Sequence, residues 1–154
     1  MKVVLQRVKS AYVKVDSSTV SEIDSGYLRL WGIEESDTEV ESEILINKIL
    51  NFRIFSDENL KMNKSIIDIS GEILIVSQFT LAGKFLKGNR PSFVNAKSPE
   101  IAEKMISNIV QEFSKHVTVK TGSFGAMMDV GLVNDGPATF VLTARNGQLI
   151  DQAD

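Results

Sequence analysis

The chain has 154 residues, of which 43% are hydrophobic and 24% charged, with a formal net charge of −3 and no cysteine. That length and balance suit one domain with a core of its own. They exclude disulfides and thiolate chemistry, and they argue against wrapping of duplex nucleic acid, which calls for a basic excess.

A single histidine, His116, with no cysteine leaves no zinc set, and no acidic cluster suggests another ion, so neither metal nor cofactor is expected. No apolar run is long enough for a transmembrane helix, and no membrane partner is expected. At the start, "MKVVLQRVKS", Gln6 and Arg7 interrupt the apolar residues too early for a signal peptide, so a cytoplasmic protein is expected.

In chain order, Val3, Leu5 and Arg7 alternate with Val4, Gln6 and Val8, the pattern of a strand. Residues 11–15 and 27–33 read as further strands around the turn signal Asp24-Ser25-Gly26. Residues 37–51 predict a helix, with Ser36 and Glu39 as a capping box and Ile44, Ile46, Ile49 and Leu50 on its apolar side. Residues 56–63 read as a polar loop, and the apolar run that opens 72–82 as a buried central strand. A long basic loop, 83–97, precedes a second helix, capped by Ser98 with Pro99 in its first turn. Ile101, Met105, Ile109 and Phe113 recur there at every fourth residue. Strands follow at 117–121, 127–133 and 138–144, and the tail after 145 reads as polar and loose. Two helices and about seven strands give a mixed α/β domain, its sheets covering each other on one side and the helices on another.

Three stretches could carry chemistry. "SQFT", Ser77–Gln78–Phe79–Thr80, ends the apolar strand with two hydroxyls and an amide. It is either a polar strand end or a catalytic edge whose main-chain N–H groups hold an oxyanion. A hydroxyl nucleophile needs a base nearby. His116 follows the second helix, where a histidine commonly serves the helix end, and no lysine adjoins the motif. Gly136-Pro137 interrupts an otherwise good strand, as a bulge, an edge stop or a cis peptide. The basic loop holds Lys84, Lys87, Arg90 and Phe93, a mixture that can hold phosphates and bases or simply face solvent.

Together these pieces resemble the D-aminoacyl-tRNA deacylase family. The likeness runs from the first residue to about Leu142, through "LQRV", "FRIFSD", "KMN", "VSQFTL", "RPSF", "FGAMMDV" and "LVNDGPATF". Ala138 stands where the family usually carries valine. The resemblance implies partly barrel-like sheets layered β/β/α with two main helices, residues 1–145 as a single deacylase domain and 146–154 as a polar tail. It implies hydrolysis of the ester joining a D-amino acid to the terminal adenosine of tRNA, by a homodimer with its sites at the subunit interface. In the family the Gly-Pro bond is cis and faces the partner's SQFT strand. By that resemblance Gly136, Pro137, Arg7 and Thr139 would reject L-amino acids. Ser77, Gln78, Phe79 and Thr80 would form the catalytic strand, with either Thr80 or a water activated by the RNA as nucleophile. Lys84, Lys87 and Arg90 would hold the tRNA acceptor end. Glycine, having no side chain to reject, should be released too. A non-catalytic tRNA-binding module and a general serine or threonine esterase stay as the other readings.

Overall fold

The computed structural model describes residues 1–151, so the last three residues assigned to the tail lie outside it. The chain order is β1 (Lys2–Val15), β2 (Ser18–Ile23), β3 (Gly26–Gly32), α1 (Glu39–Leu50), β4 (Phe55–Ser56), β5 (Met62–Lys64), β6 (Glu72–Ser77), a 3-10 turn (Phe79–Ala82), α2 (Pro99–Ser114), β7 (Thr118–Thr121), β8 (Asp129–Arg145) and β9 (Gln148–Ile150). Among these residues seven strands form one sheet, in the order β7-β6-β3-β1-β8-β9 with β2 also paired to β1. β3, β6 and β7 run parallel; β1 is antiparallel to β2, β3 and β8.

Both faces of the central strands are buried, which explains their near-continuous apolar sequences. Tyr27 and Trp31 of β3, and Ile73 and Ile75 of β6, join Leu45 and Ile49 of α1 and Ile109 and Phe113 of α2 in one core. Leu28, Leu74 and Val76 point the other way, into a second core with Val8, Ala11, Val13 and Ile23. The far half of β1, with β2, therefore curls over the back of β3 and β6. Ser21 Oγ donates to the Thr121 carbonyl at 2.7 Å and Lys120 Nζ to the Glu22 carbonyl at 2.7 Å, tying β2 to β7. The result is a curled half-barrel sheet with two helices on one side, the layered α/β arrangement that the sequence suggests.

Two irregularities produce the curl. Between the pairs Gln6↔Thr139 and Val8↔Asn134, β1 has one residue, Arg7, where β8 has four, 135–138. Between Val8↔Asn134 and Ser10↔Val133, β1 has one residue to spare, Lys9. Each mismatch is an odd number of residues, and an odd slip turns alternate side chains to the opposite face. Hence Val3 and Leu5 face the helices, whereas Ala11 and Val13 face the second core. Phe140 and Leu142 of β8 pack toward the helices, whereas Val130 and Leu132 do not.

Several boundaries differ from the sequence reading. α1 begins two residues later, because Asp37 is engaged elsewhere: it accepts from the Met1 ammonium at 2.6 Å and from the Glu34 N–H at 2.6 Å. The capping box is therefore Thr38 with Glu41, not Ser36 with Glu39. The 56–63 loop is the turn of the small β4–β5 hairpin. The apolar run that opens 72–82 is a central strand ending at Ser77, the start of SQFT, and β8 is one strand running through Gly136-Pro137, not two. The tail read as loose pairs as β9 with the end of β8.

Arg29 is fully buried in the first core, its guanidinium 4.1 Å from the Phe113 ring centroid and 5.3 Å from that of Tyr27. Burial pulls its pKa down to about 9, so it remains charged at neutral pH. No helix among the described residues is long and apolar enough to cross a membrane.

Glu41 links α1 to the β8–β9 turn. Burial pushes its carboxyl up, but hydrogen bonds from the Gly147 N–H, the Thr38 N–H and the Thr38 hydroxyl outweigh that and hold it at about 2. Its folded pKa is thus below the unfolded value of 4.5, so its contribution is present above pH 4.5 and lost as pH falls toward 2. Urea unfolding of wild type and Glu41→Gln should differ by on the order of 2–3 kcal/mol at pH 7, and the gap should close between pH 4.5 and 2. A gap independent of pH contradicts this role.

Candidate active site

β6 ends where its polar residues begin. The Gln78 N–H donates to the Trp31 carbonyl at 2.8 Å, the last rung joining this strand to β3, and the chain then winds into the 3-10 turn. Gly32 lets that turn lie against β3: a Cβ there would stand 2.6 Å from Leu81 Cβ and 3.0 Å from the Gln78 carbonyl oxygen. Beside the strand end opens a cavity of about 390 Å³. Trp31, Phe93, Phe124, Ala102 and Ile106 form its apolar walls, and Ser77, Gln78 and Phe79 its rim. Phe79 is 57% exposed and meets Phe93 edge to face at 5.0 Å, leaving one aromatic face to solvent.

Thr80 is exposed, and its hydroxyl accepts a hydrogen bond from Gln78 Nε2. An amide N–H cannot remove a proton, so this partner does not activate the threonine. Among the described residues that line the cavity there is no carboxylate and no imidazole, and Lys97 is the one charged side chain. His116 lines a different hollow, with Ser70, Gly71 and Ser114. The strand end thus offers a polar rim, an apolar floor and main-chain donors, but among the described residues no carboxylate or imidazole base for a hydroxyl.

The second motif is the four-residue bulge opposite Arg7. The Gly136-Pro137 peptide bond is cis, and both residues are exposed. Arg7, buried beneath them, donates from Nε to the Asp135 carbonyl at 2.9 Å and from Nη1 to the Ile54 carbonyl. The carbonyl it fixes is therefore one residue ahead of the Gly-Pro pair. Asn134 staples the other end: its Oδ1 accepts from the Ala138 N–H at 2.7 Å, and its Nδ2 donates to the Thr139 hydroxyl at 2.8 Å.

The chain does not bring the two motifs together. Ser77 lies beside Trp31 of β3, whereas Arg7 lies beside Tyr27. Four residues correspond to about 13 Å along the strands, and three strand spacings to about 14 Å across them. Lys84, Lys87 and Arg90 are exposed on a loop closed by the Lys84–Ser92 bridge, outside the cavity, and none of them forms an ion pair among the described residues. That loop leads directly into Phe93 of the cavity wall. Trp31, Phe124 and Lys97 were not singled out as site residues by sequence. Phe124 lies within the "FGAMMDV" stretch, but nothing in the pattern marks Trp31 or Lys97 as lining a cavity.

A family model described as D-Tyr-tRNA(Tyr) deacylase matches residues 4–143. A D-aminoacyl-tRNA deacylase of Nitratiruptor sp. is 45% identical over 145 residues, 94% of this chain and 99% of the relative. That of Persephonella marina is 50% identical over 142 residues, 92% of this chain and 97% of the relative. A solved structure described as c-Myc DNA Unwinding Element Binding Protein superposes with TM-score 0.89 at 43% identity, covering 94% of this chain and 99% of that one. A probable eukaryotic D-amino acid tRNA deacylase shares the fold, with TM-score 0.74 at 17% identity.

Gly136 has φ of +131°, and a Cβ built on it would stand 2.7 Å from Arg7 Nη2. Gly136→Ala should lower stability by about 1–3 kcal/mol in urea unfolding. Part of that loss is the clash with the guanidinium, so the Arg7→Ala/Gly136→Ala pair should lose less than the sum of the single changes. Strict additivity would show that Arg7 does not support the bulge.

Proposed function

The chain belongs to the D-Tyr-tRNA(Tyr) deacylase family and hydrolyses the aminoacyl-tRNA ester bond; from that premise we propose that it releases D-amino acids and glycine while sparing L-amino acids, and that the Gly136-Pro137 bulge makes the choice. The observation that supports this reading is the exposed bulge itself, offered to solvent as main chain and held rigidly from below by Arg7 and Asn134. When the amino group and ester carbonyl of a substrate are fixed, exchanging D for L exchanges hydrogen and side chain on Cα. Main-chain oxygens set on the L side leave room for hydrogen alone, and an L side chain would clash or strip water from them without return. Side-chain identity then matters little, and glycine passes.

The separation of the two motifs along the sheet favours a homodimer in which the bulge of one subunit meets the strand end of the other. The cavity suits the terminal adenine, with Phe79 beside it, while Lys84, Lys87 and Arg90 hold phosphates of the acceptor end. So local a basic surface is compatible with a net charge of −3. We assign the attack to water. Its oxygen adds to the ester carbonyl carbon, the neighbouring ribose 2′-OH relays its proton, and the 3′ oxygen leaves protonated. The Gln78 N–H is already committed to Trp31, so the Phe79 N–H is the better donor to the oxyanion. The absence of a carboxylate or imidazole among the described residues of the cavity weighs against a general esterase built on Ser77 or Thr80.

Purified protein offered D-tyrosyl-, L-tyrosyl- and glycyl-tRNA should release D-tyrosine and glycine and leave the L ester intact. Retention of glycine on its tRNA, or release of L-tyrosine at the D rate, contradicts exclusion by the bulge. Thr80→Val should keep at least about a tenth of wild-type kcat, a loss of no more than 1.4 kcal/mol. A loss of a thousandfold or more with KM unchanged restores the hydroxyl as nucleophile.

A further inference from the structure

Among the described residues Lys97 carries the one charge on the cavity wall, and no carboxylate among them pairs with it. Its main chain is fixed by the N–H bond to the Ile33 carbonyl at 3.1 Å and by the neighbouring Glu34–Ala96 bridge. Its ammonium rests on a neutral acceptor, the Glu35 carbonyl, and it makes no ion pair among the described residues. An ammonium has three donors, so two remain for a ligand. The other cations of the region, Lys84, Lys87 and Arg90, stand on the loop outside the cavity.

We propose that Lys97 is a positioning residue that grips the phosphodiester joining the terminal adenosine to the preceding nucleotide. This rests on the reading that the cavity takes the terminal base. A nucleotide seated there must carry its phosphate out past the rim, and the rim holds one cation on a fixed stem. The half-buried setting strengthens the pair relative to one in open solvent. Holding both base and phosphate fixes the ribose between them and so the ester at the strand end. The exposed loop cations add attraction but no such register.

The test uses two substrates, D-tyrosyl-tRNA and 3′-(D-tyrosyl)adenosine, which lacks the phosphate. On the tRNA, Lys97→Met should raise KM about tenfold with kcat unchanged, Lys97→Arg should restore it, and the slope of log(kcat/KM) against log[salt] should shrink by about 0.7. On the nucleoside ester, Lys97→Met should match wild type. An equal loss on both substrates, or a fall in kcat alone, would overturn the proposal and assign Lys97 to local structure or the oxyanion. Should wild type turn over the nucleoside ester too slowly to measure, the salt slope and the arginine rescue decide. If wild type cleaves neither substrate, the functional reading beneath the proposal fails instead.

Discussion

The mismatch of one residue against four between β1 and β8 governs this molecule. Arg7 fills the width of β1 at that point, and residues 135–138 loop out across from it. The slip turns β8 over, so that Phe140 and Leu142 face the helices and Val130 and Leu132 the second core, while the spare residue Lys9 turns β1 over just beyond Val8. Without the two slips together, Val130 and Leu132 of β8 and Ala11 and Val13 of β1 would point away from the second core. The same step leaves a segment of main chain without ladder partners. A buried guanidinium takes up the Asp135 and Ile54 carbonyls, so the loop is held by its acceptors and presents its outer side bare. Under the proposed reading a fold requirement and a recognition surface thus share one set of atoms.

The ends of the same strand pair are held by a buried charge cluster. The Met1 ammonium donates to Asp37 at 2.6 Å and to the Ala144 carbonyl at 2.9 Å, while Glu34 meets the ammonium at 3.6 Å and Arg145 at 3.1 Å. These contacts join the start of β1, the end of β8 and the entry to α1. Removing one partner of such a buried pair costs far more than the net worth of the pair, because the remaining charge stays desolvated. The cluster and the bulge hold β1 against β8 at two points, which keeps the curl from relaxing by sliding.

Much of this was legible in the residues. The alternation in "VVLQRV", the runs "YLRLW" and "EILIV", and the fourfold spacing from Ile101 to Phe113 specify strands and helix by period alone. SQFT and Gly-Pro stood out because each breaks a pattern that its neighbours set up. What stayed hidden depends on contacts distant in sequence. Asp37 reads as helix until the Met1 ammonium draws it away, and both "SDTE" and "TEVE" fit a capping box. The tight turn that carries Leu81 and Ala82 against Gly32 is not marked by apolar period, which shows only where the strand's run gives out. Arg29 lies in the strand read over 27–33, and nothing local shows that two aromatic rings bury it. Lys97 reads as one more basic loop residue, because nothing local shows that the chain returns to β3 and sets it on a cavity wall.

The candidate site is poor in charge, which suits the discrimination proposed for it. A pocket of carboxylates and imidazoles would hydrolyse esters through its own acids and bases, and would do so for either hand of substrate. The strand end here supplies an apolar wall, an aromatic face and main-chain donors, none of which cleaves an ester unaided. Chemistry under the proposed reading therefore waits for a substrate that brings its own hydroxyl beside the bond. Selection waits for a rigid obstacle, which an exposed side chain cannot be, since it can rotate aside at a cost of only about 1 kcal/mol. Main chain anchored at both ends lacks that freedom. Under the same reading attraction is left to lysines and arginine at the margin, where they would raise affinity for any RNA end without altering the choice between hands. Separating affinity from selection in this way lets a chain with three more acidic than basic residues act on a polyanion. It would also place the discriminating atoms in the backbone, where sequence can change around them while the shape they present is kept.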